Sequence, residues 1–177
     1  MPASLSAILI ARDEEKDLPG ALESLRGLAD ELVVVVDAAS RDRTEALARE
    51  AGAKVLVRAF DGYASQKQAA LDLASKDWAL ALDADERVSP ALREEIKSLL
   101  DSGGRAPTDL GGGTSARYRV VGRALPSPAP YLCGPCLLIP RRVFERVGWL
   151  DDRLLGGAAQ ADYSLRLLQA GYQVVVS

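Results

Sequence analysis

Two acids two residues apart, in Asp83-Ala84-Asp85, follow directly on the apolar run Trp78 to Leu82. On an extended chain residues i and i+2 point the same way, so both carboxylates can address one ligand. A divalent cation bridging a diphosphate takes hard oxygen donors of this kind. A solvated loop is the competing reading of the triplet. Asp37 closes a second apolar run, Leu32 to Val36, where a carboxylate can accept from a base N–H or a ribose hydroxyl of a nucleotide. As an N-cap or Asx-turn residue opening the next helix it would be structural, a role Ser40 could also fill. Lys67, in Gly62-Tyr63-Ala64-Ser65-Gln66-Lys67-Gln68, can pair with phosphate or base, or stand as an ordinary solvated charge. Histidine is absent, which removes triads with a histidine base, histidine-ligated zinc and imidazole pH switching. Carboxylates remain as the acid–base stock.

The chain has two cysteines, in Cys133-Gly134-Pro135-Cys136. The spacing matches a thiol redox motif, with a nucleophilic thiolate at a helix N-terminus. The context differs from such a site: no tryptophan directly precedes Cys133, the upstream stretch is broken by prolines, and no proline follows Pro140. Structural thiols or an adventitious disulfide are the alternatives. Two cysteines so close together are too few for a secreted disulfide framework.

These residues must be held by regular elements, and the pattern supplies them. Leu5 to Ile10 reads as a strand, followed by Arg12-Asp13-Glu14-Glu15-Lys16 and a helix carrying Leu18, Ala21, Leu22 and Leu25 at helical spacing. Leu32 to Val36 repeats the unit, with a helix over Thr44 to Glu50 closed by Gly52. A strand over Lys54 to Val57, a helix over Tyr63 to Ser75 and a strand over Trp78 to Leu82 follow. Ser89 and Pro90 start the next helix as N-cap and first residue, and it runs to Leu100. Strands apolar on both faces that alternate with helices imply a parallel sheet covered on both sides. Ligands bind such sheets beyond the carboxyl ends of the strands, and Arg12 to Glu15, Asp37 and Asp83 to Glu86 all gather there. Residues 101–115, rich in glycine, read as a flexible loop. Beyond it, Arg117 to Val121, Leu137 to Ile139 and Gln173 to Val176 read as strands, and Arg141 to Val147 and Asp162 to Ala170 as helices.

At 177 residues, 48% hydrophobic and 27% charged, the chain is long enough for one domain with a sizeable core. Its net charge is −3. Acids outnumber bases in residues 1–100, and the reverse holds beyond them; no nucleic-acid groove is indicated. No apolar run reaches the roughly 18 residues needed to span a bilayer, and the first residues carry no signal-type stretch. A cytoplasmic protein is the expectation.

Leu5 to Glu15, Asp30 to Asp37, Ser40-Arg41-Asp42-Arg43-Thr44, Phe60 to Leu71 and Leu82 to Pro90 together resemble the nucleotide-binding half of a family 2 glycosyltransferase, in particular the lipopolysaccharide-core β-glycosyltransferase branch. The resemblance covers residues 4–100 almost continuously. It implies an A-type glycosyltransferase fold: a single α/β domain with a mostly parallel, Rossmann-like sheet. Residues 4–100 would bind a nucleotide-diphosphate sugar and 116–177 would form the acceptor side. By the same resemblance Asp37 would contact the base, Lys67 stands where the family often has arginine, and Asp83 would face the ribose. Asp85, closing the DXD motif, would hold Mg²⁺ or Mn²⁺. Ala11, Arg12 and Glu14 would line the pocket. Ala38-Ala39 departs from the glycine or polar residue usual there, and Asp13 stands where asparagine is frequent.

The back half is similar more loosely. Gly134 to Gly148 resembles the strand and helix ahead of the acceptor loop, and Asp162-Tyr163-Ser164-Leu165-Arg166-Leu167 the segment near the catalytic base. Alignment on Arg166 puts Ala159-Gln160 where many members carry Glu-Asp. Asp162 is then the nearest carboxylate for the base, against a structural role in a salt bridge or at a helix N-terminus. Relatives commonly continue past the point corresponding to Ser177, often with a metal-binding histidine, so the fold reads as truncated at its C-terminus. The activity implied is metal-dependent, inverting transfer to a saccharide or lipid-linked acceptor in cell-envelope glycan synthesis. Peripheral contact with the inner membrane face comes with the resemblance, although no amphipathic anchor is evident. A catalytically degenerate nucleotide-sugar-binding relative and a thiol oxidoreductase are the alternatives, and oligomeric state is left open.

Overall fold

The computed structural model describes residues 2–102, 119–122, 136–151, 153–154 and 157–176. Its strands are β1 (Leu5–Ala11), β2 (Glu31–Asp37), β3 (Lys54–Arg58), β4 (Trp78–Asp83), β5 (Arg119–Gly122), β6 (Leu137–Pro140) and β7 (Gln173–Val176). Its helices are α1 (Leu18–Leu25), α2 (Thr44–Glu50), α3 (Tyr63–Leu73), α4 (Pro90–Asp101), α5 (Arg141–Val147) and α6 (Gly157–Gln169). The strands form one sheet in the order β3-β2-β1-β4-β6-β5-β7. The first four are parallel, and β6 runs against both β4 and β5. This is the doubly covered α/β sheet that the alternation of apolar strands and helices predicts.

Side chains alternate across each strand and so build two cores. Leu5, Ala7 and Leu9 of β1 join Val34, Val36, Leu80 and Leu82 beneath Leu18, Leu22 and Leu25 of α1 and Ile96 and Leu99 of α4. Ile8, Val33, Val35, Ala79 and Ala81 face the other way, against Ala70 and Leu71 of α3, Val143 and Phe144 of α5, and Tyr163 and Leu167 of α6. Ser89 caps α4 as its sequence position predicts, its side chain accepting the Leu92 N–H at 3.2 Å. Arg166 ties α6 to the segment after α5, donating to the Val147 carbonyl at 2.8 Å and the Trp149 carbonyl at 2.6 Å.

Two helix boundaries differ from the sequence reading by two residues or more, while the others shift by a residue or so. Helix α3 ends at Leu73, because Ala74 is extended (ψ 141°) and the Ser75 N–H and hydroxyl both donate to Glu31 at 2.8 Å. Helix α6 starts at Gly157, five residues ahead of the expected start, so Asp162 lies inside the helix and not at its N-terminus. The loop read over 101–115 lies outside the described residues, save Asp101 and Ser102, which end α4. No helix among the described residues is long and apolar enough to cross a membrane.

Candidate nucleotide-binding rim

The site is built where β1, β2 and β4 end. Register sets Ile10 beside Asp83 and Ala11 beside Val36, with Asp37 one residue further on and paired with Arg58 of β3. Four neighbouring strands thus deliver Ala11, Asp37, Arg58 and Asp83 to one edge. Parallel strands in register carry whatever follows their apolar runs to the same rim.

Asp37 leaves only 5% of its side chain exposed. Its Oδ1 accepts the Ala39 N–H at 2.9 Å, so the Asx-turn exists. Its Oδ2 is buried without a hydrogen bond and meets Arg12 Nη1 at 3.4 Å, on a side chain that is 60% exposed. A buried carboxylate oxygen with unused acceptor capacity is uncommon and calls for an explanation. The turn engages one oxygen and leaves the other for a ligand.

The loops after β1 and β2 are stitched together. The Asp13 N–H donates to Ser40 Oγ at 2.9 Å, and Asp13 Oδ1 accepts the Arg41 N–H at 2.8 Å. The Glu14 N–H donates to Thr44 Oγ1 at 2.7 Å, and the Glu15 N–H to Asp42 Oδ2 at 2.9 Å. Asp13 adopts φ +54°, in the left-handed region that asparagine and aspartate tolerate best among residues with a side chain. Ser40 is therefore a clamp between loops and not the cap of α2; Asp42 serves that helix, its Oδ1 accepting the Thr44 N–H at 2.9 Å. Burial acts to raise the Asp42 pKa, but hydrogen bonds from Thr44, Glu15 and Ser40 hold it at about 2.

The clamp fixes Glu14, whose pKa is raised first by burial and then by the negative charge of Asp85, with Asp17, Asp42 and Asp13 adding to it. Asp85 is exposed. Carboxylates from the loops after β1 and β4 therefore lie within electrostatic reach of one another. Beside them Lys67 of α3, 16% exposed, donates to Asp83 Oδ1 at 2.8 Å. No three metal-ligating side chains converge among the described residues. Hard oxygens from Asp85 and Glu14 suit Mg²⁺ or Mn²⁺ only where a ligand's own oxygens complete the coordination.

Asp162 engages a different partner: its Oδ2 accepts from Arg166 Nε at 2.8 Å, one turn along α6. That is the salt-bridge role weighed for it in the sequence. Cys136, ahead of β6, is pushed up to about 11, chiefly by burial and further by Glu86 and Asp83. A redox thiolate needs the opposite shift, and Cys133 lies outside the described residues.

Several of these features were not found in the sequence. The electrostatic effect of Asp85 on Glu14 depends on how two loops distant in the chain meet, and the left-handed Asp13 had as its only signal the asparagine usual at that position. The exposed ring of Tyr63, at 73%, stands on the same rim.

Comparison with known proteins agrees with the geometry. An uncharacterized glycosyltransferase of Rickettsia felis is 41% identical over 98 residues, which is 55% of this chain and 34% of that protein. The lipopolysaccharide core biosynthesis glycosyltransferase LpsC of Rhizobium meliloti is 42% identical over 101 residues, 54% of this chain and 37% of LpsC. These alignments thus span about a third of each relative. Among solved structures, a mannosyltransferase of Pyrobaculum calidifontis in complex with GDP-Man and Mn²⁺ superposes with a TM-score of 0.66 at 18% identity. That match covers 100% of this chain and 55% of that one, and it shows the fold alone. The model of glycosyl transferase family 2 matches residues 6–148, most of the chain and every strand-end residue of the rim, and the chain accordingly belongs to that family.

Proposed function

We propose that this chain belongs to a metal-dependent, inverting glycosyltransferase that moves a sugar from a nucleotide-diphosphate donor to a hydroxyl of a saccharide or lipid-linked acceptor. The observation that carries the reading is the gathering of Asp37, with its unbonded buried oxygen, and the Lys67–Asp83 ion pair at neighbouring strand ends, with Glu14 held in the field of Asp85. The LpsC relative supports cell-envelope glycan synthesis as the setting.

In this reading Asp37 Oδ2 accepts from the base, with Arg12 closing over it and Ala11 forming the floor. Asp83 accepts from the ribose while Lys67 holds its carboxylate in place. Asp85 with Glu14 would hold Mg²⁺ or Mn²⁺, which when bound would offset the charge of the departing diphosphate. In the reaction the acceptor oxygen bonds to the anomeric carbon as the bond from that carbon to the diphosphate oxygen breaks, and the hydroxyl proton passes to a carboxylate. Asp162 is the carboxylate proposed for that proton.

Calorimetric titration with UDP and GDP, with and without Mn²⁺, tests the reading. Metal-dependent binding lost in Asp85→Ala supports it, and absence of metal-dependent binding to any nucleotide diphosphate refutes it. A second reading, a relative that binds the donor without transferring from it, is favoured by Ala159-Gln160 and by the engagement of Asp162 with Arg166. Donor binding without transfer or hydrolysis selects it; turnover abolished by Asp162→Asn selects the first.

A further inference from the structure

Tyr63, Lys67 and Ala70 stand at i, i+4 and i+7 of α3 and so share one stripe of the helix. Ala70 is buried against the sheet, and Lys67 reaches the end of β4 at Asp83. One turn nearer the N-terminus, Tyr63 is 73% exposed. The stripe thus ends in an exposed ring on the turn of α3 that precedes Lys67, toward the carboxyl ends of the strands.

The ring is held there. Gly62 has φ +134°, a conformation essentially closed to residues with a side chain, and it turns the chain into α3. Arg58 pairs with Asp61 and donates to the Ser65 carbonyl at 3.1 Å, while Gln66 Nε2 donates to the Ala59 carbonyl at 3.3 Å. Phe60 braces Tyr63 edge-on, with ring centroids 5.1 Å apart. Among the described residues, Phe60 and Tyr63 carry the only aromatic rings that are exposed.

We infer that Tyr63, braced by Phe60, is the platform on which the donor's nucleobase stacks while Asp37 Oδ2 accepts from that base's edge. The inference rests on the proposed function and assigns a residue to it. Phe60 follows two residues after Arg58, which pairs in register with Asp37, so the rings stand at the strand end adjoining the one that carries the buried, unused acceptor. Of the parts of a nucleotide sugar, only the base offers both an N–H edge for Asp37 and a flat π face for Tyr63.

The test is calorimetric titration of the wild type, Tyr63→Ala and Tyr63→Phe with UDP, GDP and inorganic diphosphate, all with Mn²⁺. Loss of a base–aromatic stack is expected to weaken the Tyr63→Ala affinity for UDP or GDP by about 5- to 150-fold. Inorganic diphosphate should bind the variant as it binds the wild type, and Tyr63→Phe should stay within twofold throughout. Tyr63→Ala that binds nucleotide within twofold of wild type, or that loses inorganic diphosphate equally, overturns the inference. So does a variant that keeps nucleotide affinity but loses saccharide acceptor, which would give the ring to the acceptor. If the wild type binds no nucleotide diphosphate, the proposed function itself falls; if it does and Tyr63→Ala matches it, only this assignment falls.

Discussion

Replacement of Asp37 by asparagine separates the structural and binding roles of that residue, because the two readings predict different outcomes. Asparagine keeps an oxygen for the Ala39 N–H, so the Asx-turn survives. What changes is the second position, where the unbonded Oδ2 becomes an amide NH₂. In the free protein the substitution loses an ion pair with a guanidinium that is 60% exposed, worth about 0–1 kcal/mol. It also removes a buried charge, which works in the opposite direction. Stability should therefore stay within about 1 kcal/mol of wild type, a shift of roughly 2–4 °C or less in Tm for a chain of this size. In the complex, a hydrogen bond to a charged acceptor is lost and a donor is turned toward a donor. That costs about 1.5–3 kcal/mol, a weakening of roughly 10- to 150-fold. Thermal unfolding followed by circular dichroism, with calorimetric titration of UDP and GDP in Mn²⁺, reads both quantities. Unchanged nucleotide affinity refutes the binding role. A loss of more than about 3 kcal/mol of stability would show instead that the fold depends on the carboxylate.

Lys67→Ala should weaken nucleotide binding in the same titration by freeing Asp83 from its 2.8 Å bond, whereas Lys67→Arg should retain most of it. Glu14→Gln relieves a carboxylate whose pKa is raised by burial and by Asp85. A group raised in the fold favours folding at low pH and loses that contribution as pH rises, so the variant should melt higher than wild type at pH 7 without metal and show a smaller Mn²⁺-induced rise. Glu31 behaves in the opposite sense: burial acts to raise its pKa, but Lys54, Ser6 and Ser75 bring it from 4.5 down to about 2. Its contribution is present above about pH 4.5 and lost as pH falls toward 2, and Glu31→Gln should cost about 2–3 kcal/mol at pH 7 and flatten the acid limb of a urea-melt series.

Strand positions were legible because β1, β2 and β4 are buried on both faces and read as uninterrupted apolar runs, and their polar successors then marked the rim. The direction of β6 was not, since Leu137 to Ile139 would look the same in a parallel strand. The first turns of α6 were missed because Gly157, Ala158 and Ala159 give no apolar periodicity, and helix begins there through the docking of Tyr163 and Leu167 further along. At the site, Asp37, Asp83 and Asp85 followed from their places at strand ends. The partners of Glu14 and Asp13 depend on how two loops meet, which no local pattern encodes. Tyr63 read only as the first residue of a helix, and its 73% exposure has no local signature in the sequence.

The two ends of the sheet offer an internal control for reading acids as function. At the amino ends of the strands, Asp77 accepts from the Ser4 N–H at 3.0 Å and the Ser4 hydroxyl at 2.8 Å. Asp30 accepts the Leu5 N–H at 2.8 Å, and Glu31 is shared by Lys54, Ser6 and Ser75. Each of these carboxylates is engaged by the chain itself, and Asp77 and Glu31 have lowered pKa values to match. At the carboxyl ends the bonding is different in kind: Asp37 leaves a buried oxygen unbonded and Glu14 is raised by its neighbours. The amino edge is satisfied by the chain itself, whereas the carboxyl edge mixes engaged acids, Asp13, Asp42 and Asp83, with Asp37 and Glu14, whose needs the chain leaves unmet. Under the proposed function, Asp37 and Glu14 are the acids that a ligand bringing N–H donors and a cation would satisfy.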